Sequence, residues 1–192
     1  MFSAVRRRLG IHFYYMLVHP LACATRLQAP PAGLDYRVLD EAALLQCCAD
    51  PQLGLREAGV RAALAAGNVC IGALEQGRLV AYVWYSFESA PHTGGVRVQV
   101  GPRLRYAYKL HVRPSHRRRG IARALLVRTG ELCPSRGREL GLCFVAPDNA
   151  ASLRAFAAAG WRRAGYAGYL KWRGRLRAFA STSAQRAGAG FC

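Results

Sequence analysis

The feature that most constrains the fold is a change of hydrophobic periodicity near residue 113. Leu104–Val112 has the composition of a strand, whereas the apolar residues between Ile121 and Cys133 recur on one face of a helix. Leu140–Ala146 is then a nearly continuous apolar run, which is typical of a strand covered on both faces. A strand, a helix and a second strand in this order predict a right-handed crossover that connects two parallel strands.

The rest of the chain predicts further strands and helices around this crossover. Asp40 and Asn149 have the side chains of helix N-caps, and Gly67 and Gly160 are suited to helix C-caps. We therefore expect an α+β fold with a mixed central sheet. The additional strands are predicted at residues 36–39, 69–74, 79–87, 161–166 and 169–172, and the additional helices from residue 40, at 56–66 and at 149–159.

The length of 192 residues suits one domain with loose ends. The stretch Pro30–Gly33 has the composition of a linker. We expect residues 1–33 to form an N-terminal appendage and linker, residues 34–175 to form the domain, and residues 176–192 to form a C-terminal tail.

The N-terminus is similar to the start of a signal peptide. Arg6–Arg8 precedes the apolar run Ile11–Val18, but His12 interrupts the run and Pro20 follows it closely. The run is also far shorter than the ~20 residues that span a bilayer. Three interpretations remain open: an element packed on the domain, a membrane-surface anchor, or a processed signal.

The chain is strongly basic, with 28 Lys and Arg residues against 10 Asp and Glu residues and a net charge of +18. Only two of the basic residues are lysines, and the abundance of Ala, Gly and Arg is typical of a GC-rich coding sequence. This bias together with a phosphate-bearing ligand accounts for the charge, and no nucleic-acid-binding motif accompanies it.

The seven cysteines are odd in number, and none belongs to a C-x-x-C pair or to a Cys/His cluster with zinc spacing. We therefore expect reduced cysteines, no metal, and a cytoplasmic protein.

The turn between the first predicted strand and the helix has the properties of an anion site. Backbone N–H groups at the start of a helix have no partner within the helix, and the helix dipole favours a negative charge there. Gly120 permits a close approach of the backbone to a ligand, and Arg117, Arg118 and Arg119 supply positive charge.

Two motifs resemble the GCN5-related N-acetyltransferase (GNAT) family. The first is Arg117-x-x-Gly120-x-Ala122, which follows Val112-Arg113-Pro114. The second is Asn149 at a strand-to-helix junction, Phe156 seven residues later, and Gly160-Trp161 at the end of the helix. The resemblance extends over about residues 34–172.

The resemblance implies an N-acyltransferase that moves an acetyl or related acyl group from acyl-CoA to a primary amine. It also implies a mainly antiparallel sheet whose parallel pair splays around the cofactor, with helices on both faces. Asn149 would lie near the thiol end of pantetheine or serve as a helix cap. The cofactor-binding residues that it implies are Leu110, His111 and Val112 beside pantetheine, Arg117, Arg118, Arg119, Gly120, Ile121 and Ala122 at the pyrophosphate, and Asn149 and Phe156.

Two departures from the family pattern concern catalysis. Phe156 stands where many members have a tyrosine that protonates the leaving thiolate, and Tyr166 and Tyr169 are the candidate substitutes. Tyr106 stands where several members have a glutamate base. The candidate catalytic residues are Glu88, His111 and Tyr106, with Tyr108, His92 and an ordered water chain as further candidates for the base.

The sequence leaves two alternatives to an enzyme: a catalytically weak CoA-binding or regulatory protein of the same fold, and a basic nucleic-acid-associated protein. The expected partner is a small-molecule or peptide amine, and the basic surface favours an acceptor with an anionic group. We expect no nucleic-acid partner, no membrane contact apart from a peripheral one by the N-terminal segment, and a monomer or homodimer.

Overall fold

The computed structural model describes residues 10–22, 31–92, 95–133 and 135–192. The basic stretch Arg6–Arg8 and Pro30, the first residue of the predicted linker, therefore lie outside the described residues. The strands are β1 (Ile11–Pro20), β2 (Leu34–Leu39), β3 (Val69–Glu75), β4 (Arg78–Ser86), β5 (Ser89–Pro91), β6 (Arg97–Gln99), β7 (Leu104–Val112), β8 (Leu140–Val145), β9 (Arg162–Trp172), β10 (Arg175–Ala180) and β11 (Gly190–Phe191). The helices are α1 (Glu41–Cys47), α2 (Glu57–Ala65), α3 (Ile121–Leu132), α4 (Ala150–Ala158) and α5 (Thr182–Arg186), and Pro51–Leu53 and Pro114–His116 are short 3-10 helices.

The main sheet has eight strands in the order β10-β9-β1-β8-β7-β4-β3-β2, and β11, β6 and β5 form a second sheet. Neighbouring strands are antiparallel except for β7 and β8, which are parallel, among the strands that the structure describes. The predicted α+β fold and its parallel pair across the crossover helix α3 are therefore confirmed.

β7 and β8 pair only at their beginnings. The register joins Leu104 to Leu140, Arg105 to Gly141 and Tyr106 to Leu142, and no further pairs follow. β7 continues to pair with β4 on its other side as far as Val112. The two parallel strands therefore separate after Tyr106, and a cleft opens between their C-terminal ends.

A β-bulge interrupts β7 beside this cleft. Tyr82 of β4 is opposite His111, and Trp84 is opposite Tyr108, so that Lys109 and Leu110 share one position of the partner strand. Lys109 has a positive φ of 51°. The extra residue reverses the alternation of side chains beyond it.

The bulge corrects one expectation for His111. A regular strand would place Tyr106 and Tyr108 on one face and His111 on the other. In the structure His111 lies on the same face as Tyr108 and stacks on Tyr82, with a distance of 5.4 Å between ring centroids.

The structure also differs from the expected appendage at the N-terminus. β1 lies inside the main sheet, where Tyr15 pairs with Val145 of β8 and with Tyr166 of β9. The partners are more than 100 residues away in the chain, and a local pattern contains no information about such pairing. The apolar run Ile11–Val18, which is similar to the start of a signal peptide, lies within this strand.

The C-terminal region differs from the expected loose tail in the same way. Residues 175–191 form β10, α5 and β11, and β10 pairs with β9. β9 itself is one continuous strand, whereas the sequence predicted two. Gly168 lies in the middle of β9. A Cβ atom added there would be 2.2 Å from the carbonyl oxygen of His12. Glycine therefore permits the close pairing of β9 with β1 and does not break the strand.

Hydrophobic cores on both faces of the sheet are covered by helices. On one face Leu44 of α1 and Val60 of α2 belong to the core that includes Trp84. On the other face Leu125 of α3 and Phe156 of α4 pack in a second core. The expected helices on both faces are confirmed, and no helix in the described ranges is long and apolar enough to cross a membrane.

Candidate functional site

The separated ends of β7 and β8 enclose a cleft of about 500 Å³. β7 and β8 supply its two walls, and the first turns of α4 close one side. The lining comprises residues 106–110 of β7, residues 143–146 at the end of β8, Asn149, Ser152 and Phe156 at α4, and Tyr14, Pro91 and His92.

The start of α3 follows the C-terminal end of β7, which is the strand that forms one wall of the cleft. Gly120 is the N-cap residue and has a left-handed conformation with φ of 74°, and no side chain caps the helix. Within the described residues, the backbone amides of residues 118–122 have no hydrogen-bond acceptor. Consecutive unpaired N–H groups at a helix start are suited to phosphate oxygens.

The arginines of this turn differ in the partners that they have. Arg117 donates from Nε to the carbonyl oxygen of Val112 at 3.2 Å. Arg119 forms an ion pair with Glu75 at 2.6 Å, and this hydrogen bond lowers the pKa of the Glu75 carboxyl. Arg118 is exposed and has no ion-pair partner among the described residues. Its charge is therefore available to an anionic ligand.

Only one of the three residues that the resemblance places beside pantetheine lines the cleft. Leu110 lines the cleft, whereas His111 and Val112 do not. Both of the latter pair with β4, and His111 is opposite Tyr82. Leu110 is thus the member of this group that faces the cleft directly.

The start of α4 contributes a cap and a cleft wall. The Oδ1 atom of Asn149 accepts a hydrogen bond from the amide of Ser152 at 3.1 Å, so Asn149 is a helix N-cap as well as a lining residue. Phe156 is buried and packs edge-to-face on Trp161 at 4.9 Å. Ser152, one turn before Phe156, supplies a hydroxyl group in the cleft that sequence analysis did not identify.

The two tyrosines considered as substitutes for the missing hydroxyl do not line the cleft. Tyr166 is exposed on β9. Tyr169 is buried and stacks on His12 at 4.4 Å.

The three candidate catalytic residues have different surroundings. Glu88 is exposed after the end of β4 and does not line the cleft. His111 packs on Tyr82 outside the cleft, and burial lowers the pKa of its imidazole. Tyr106 does line the cleft, but burial raises the pKa of its phenol well above the usual value. The Tyr106 hydroxyl therefore keeps its proton at neutral pH.

His92 is the imidazole that borders the cleft. Its ring contacts Tyr14 at 4.9 Å and Phe191 at 5.0 Å between centroids. The Nε2 atom is buried and has no hydrogen-bond partner in the described part of the chain. Burial, with a smaller contribution from the charge of His12, lowers the pKa of His92 to about 4. The ring is therefore neutral at pH 7.

The cleft contains little charge. All ten Asp and Glu residues of the chain lie in the described ranges, and none of them lines it. Lys109, at the bulge, is the one charged side chain among the described lining residues. The usual carboxylate base and any carboxylate for binding a cationic substrate are both absent from this lining.

Structures that share this fold include known and assigned acetyltransferases. A putative GNAT acetyltransferase from Novosphingobium aromaticivorans has a TM-score of 0.51 at 16% identity, over 94% of this chain and 64% of that one. An aminoglycoside N-acetyltransferase in complex with CoA has a TM-score of 0.53 at 18% identity, over 67% and 92%. A protein from Drosophila has a TM-score of 0.53 at 17% identity, over 86% of this chain. The present chain spans about half of the length of the Drosophila protein, 54%.

Sequence comparison gives the family. No curated protein matches the chain. The profile of the acetyltransferase (GNAT) family matches residues 39–161, which include both motifs and the whole crossover. Because this match extends over more than half of the 192 residues, the chain belongs to the acetyltransferase (GNAT) family.

Proposed function

We propose that the protein is an acyl-CoA-dependent N-acyltransferase that transfers an acetyl or related acyl group directly to a primary amine. The observation that carries this proposal is the cleft between β7 and β8 together with the unpaired amides of residues 118–122, in the turn that follows β7. A strand edge followed by a row of free N–H groups suits a ligand with an extended amide-bearing arm and a diphosphate.

The donor is bound mainly through backbone groups. The amides of residues 118–122 bind the pyrophosphate oxygens, and the dipole of α3 strengthens this binding. Arg118 and Arg117 supply positive charge. The pantetheine arm lies along Leu110–Val112, where β7 no longer pairs with β8. Asn149 and Phe156 flank the thioester end.

The transfer is a single displacement at the thioester. The neutral amine nitrogen attacks the carbonyl carbon, a C–N bond forms, the C–S bond breaks, and the nitrogen loses a proton. An alkylammonium with an ordinary pKa of ~10.4 is mostly protonated at neutral pH, so the acceptor must reach the thioester as the minor neutral form. A positioned base contributes ~10²- to 10⁴-fold to such a step.

Two further points support the proposal. One structure of similar fold is an aminoglycoside N-acetyltransferase bound to CoA, which is consistent with a CoA thioester as donor and an amine as acceptor. The family to which the chain belongs is described by acetyltransferase activity. We place the reaction in the cytoplasm because acyl-CoA donors are intracellular.

Two substitutions of Gly120 test the donor site. Gly120→Asp and Gly120→Asn add side chains of the same shape, and both residues tolerate the left-handed conformation better than others do. Each should lower the stability of the protein by about 1 kcal/mol, because φ is positive at this position. Gly120→Asp should bind acetyl-CoA at least about tenfold more weakly than Gly120→Asn, because a carboxylate then lies next to the phosphates.

Calorimetric titration with acetyl-CoA measures these affinities, and urea unfolding measures stability. The control is Arg128→Ala on the same helix, where Arg128 forms an ion pair with Glu131 at 2.8 Å outside the cleft. Its affinity should remain within about twofold of the wild type. Equal affinity of the wild type and Gly120→Asp would mean that this turn does not bind the donor.

A further inference from the structure

The part of the main sheet that β1, β9 and β10 form has an exposed aromatic face. Directly opposed residues of antiparallel strands point to the same face, and the pairs here include Tyr15 with Tyr166 and Phe179 with Gly168. Four large hydrophobic side chains are exposed within the described residues, and three of them lie on this face. They are Trp172 at 60%, Tyr166 at 41% and Phe179 at 39% exposure.

Trp172 lies at the end of β9, beside the turn that leads into β10. The sequence of the turn is Lys171-Trp172-Arg173-Gly174-Arg175, and all five residues are exposed. Trp172 is opposite Arg175, so the indole and this guanidinium are on one face of the sheet. Tryptophan between cationic side chains is a combination suited to a membrane surface, where the indole lies at the level of the headgroups and the cations meet anionic lipids.

No carboxylate balances the charge of these three strands. Residues 162–180 contain six Lys and Arg residues and no Asp or Glu, and β1 contains neither acidic residue type. The arginines of the turn and of β10 form no ion pair within the described part of the chain. The charge therefore favours an anionic partner. It disfavours a second copy of this chain, because a symmetric contact would bring the same cations together.

The N-terminal segment enters the sheet beside the same turn. Gly10, directly before β1, accepts a hydrogen bond from the amide of Lys171 at 2.9 Å. Arg6–Arg8 precede Gly10 by two to four residues in the sequence, so the length of the chain alone keeps their backbone within ~15 Å of it. A second basic stretch is thus tied to the place where Trp172 lies. We call Gly10 together with Lys171–Arg175 the hairpin corner.

A single-stranded nucleic acid is also anionic, but the rings of this face suit it less well. Base stacking needs free ring faces that follow one another closely. Phe13 stacks on Tyr166 at 5.3 Å between centroids, and the guanidinium of Arg163 lies 3.6 Å from the centroid of Tyr15. Trp172 is six residues from Tyr166 along β9, which is ~20 Å in a strand. A lipid surface requires only exposed apolar area and positive charge side by side.

We propose that the hairpin corner docks on the surface of an anionic lipid bilayer, with the Trp172 indole among the headgroups and the neighbouring arginines on the anionic lipid groups. The protein then lies on the membrane and does not cross it. No residue of the hairpin corner lines the cleft between β7 and β8. The proposal is therefore independent of the proposed acyltransferase activity, and it can be tested without an acceptor substrate.

Tryptophan fluorescence of the wild-type protein detects this contact directly. Trp84 and Trp161 are buried, at 2% and 6% exposure, so a change of emission on addition of vesicles reports on Trp172. With phosphatidylcholine vesicles that contain about one third phosphatidylserine, we expect a shift to shorter wavelength and quenching by brominated lipid. Vesicles of phosphatidylcholine alone should bind at least about tenfold more weakly. Unchanged emission with the anionic vesicles, or equal binding to both kinds, would overturn the proposal.

Sedimentation with the anionic vesicles tests the apolar contribution. Trp172→Ala should weaken binding about tenfold, because the indole no longer leaves water. The matched control is Val38→Ala, which removes the fourth exposed hydrophobic side chain, 48% exposed on β2 at the opposite edge of the sheet. It should bind within about twofold of the wild type. Equal binding of Trp172→Ala and the wild type would show that the indole does not enter the membrane.

A pair of charge reversals separates the hairpin corner from the overall charge. Arg175→Glu should weaken binding at least about fivefold, whereas Arg56→Glu should stay within about twofold. Arg56 is exposed at the N-cap of α2, and its substitution changes the net charge by the same amount. Distant charges are screened at a salt concentration of about 0.15 M, so the two variants should differ clearly. Equal losses would mean that the net charge binds the vesicles, and the hairpin corner would have no role.

Two further measurements complete the test. All four variants should unfold at the same urea concentration as the wild type, because the substituted side chains are exposed, and a loss of binding then belongs to the surface. An unstructured oligonucleotide should bind more weakly than the anionic vesicles and leave the emission of Trp172 unchanged. Tighter binding of the oligonucleotide with quenching of Trp172 would assign this face to nucleic acid and overturn the proposal.

Discussion

At the scale of single residues, burial and partners decide which side chains near the cleft are able to act on a substrate. Glu88 carries the ordinary chemistry of a base, but its side chain is in solvent beyond the paired end of β7 and β8. His92 lines the cleft, but its Nε2 atom is buried and does not face a bound substrate. His111 does not border the cleft, because its ring is stacked on Tyr82 outside it.

A substitution of Glu88 tests whether its carboxylate takes part in the reaction. Glu88→Gln keeps the size of the side chain and removes its charge. We expect kcat/KM to stay within about twofold of the wild type, since the carboxylate does not border the cleft. Thiol release under subsaturating acceptor measures the ratio. A loss of tenfold or more would identify Glu88 as the base.

At the scale of elements, the segment after β7 is attached to the opposite side of the sheet by one partly buried ion pair. Arg113, directly after β7, donates to the carbonyl oxygen of Leu79 at 2.7 Å and pairs with the carboxylate of Asp50. Asp50 also caps the Pro51–Leu53 turn by accepting from the amide of Gln52 at 2.9 Å. The ion pair thereby fixes the start of the turn that leads to α3.

The ion pair between Arg113 and Asp50 should contribute to the pH dependence of stability. The hydrogen bond from the Gln52 amide, together with Arg113, holds the pKa of Asp50 below its usual value. A lowered pKa in the folded state stabilises the protein above the unfolded pKa of ~3.9, and this contribution is lost as the pH falls through the lower folded value. The free energy of unfolding should therefore fall below about pH 4 more steeply in the wild type than in Asp50→Asn.

Urea unfolding between pH 6 and the acid limit of folding measures both curves. Parallel curves for the wild type and Asp50→Asn would contradict a role for this carboxylate in acid sensitivity.

At the scale of the whole molecule, the position of β1 determines how the two ends of the main sheet are joined. β1 pairs with β8 on one side and β9 on the other, so β9 and β10 are part of the sheet only through it. The same strand supplies Tyr14 to the cleft. An N-terminal segment outside the family match at residues 39–161 thus contributes to the site.

Two glycine substitutions should change the free energy of unfolding in opposite directions, and the first of them tests the pairing of β1 with β9. Gly168→Ala should lower the free energy of unfolding by about 1–3 kcal/mol, because the new methyl group would meet the backbone oxygen of His12 at 2.2 Å. Gly130→Ala, on the exposed side of α3 with no atom within 4 Å, should raise it by about 0.5–1 kcal/mol. Thermal and urea unfolding of both variants measure the effects. A neutral Gly168→Ala would mean that β1 and β9 do not pair closely.

The sequence by itself determined the parts of the protein that depend on neighbouring residues. The strand–helix–strand crossover and the Asn149 cap follow from local periodicity and capping chemistry, and both are present in the structure. Gly120 was predicted at the start of α3, and it is there in the left-handed conformation that glycine favours. Each element of these features is set by residues that are close together in the chain, which a local pattern describes well.

The tertiary structure decided the features that depend on distant pairing or on a single inserted residue. The insertion of β1 joins residues more than 100 positions apart, and backbone hydrogen bonds of that kind leave no local pattern. The bulge at Lys109 moves His111 to the other face, because side chains of a strand alternate with a period of two. His92 and Tyr14 meet at the cleft only because two separate sheets pack together there, and no sequence spacing relates a residue of one sheet to a residue of the other.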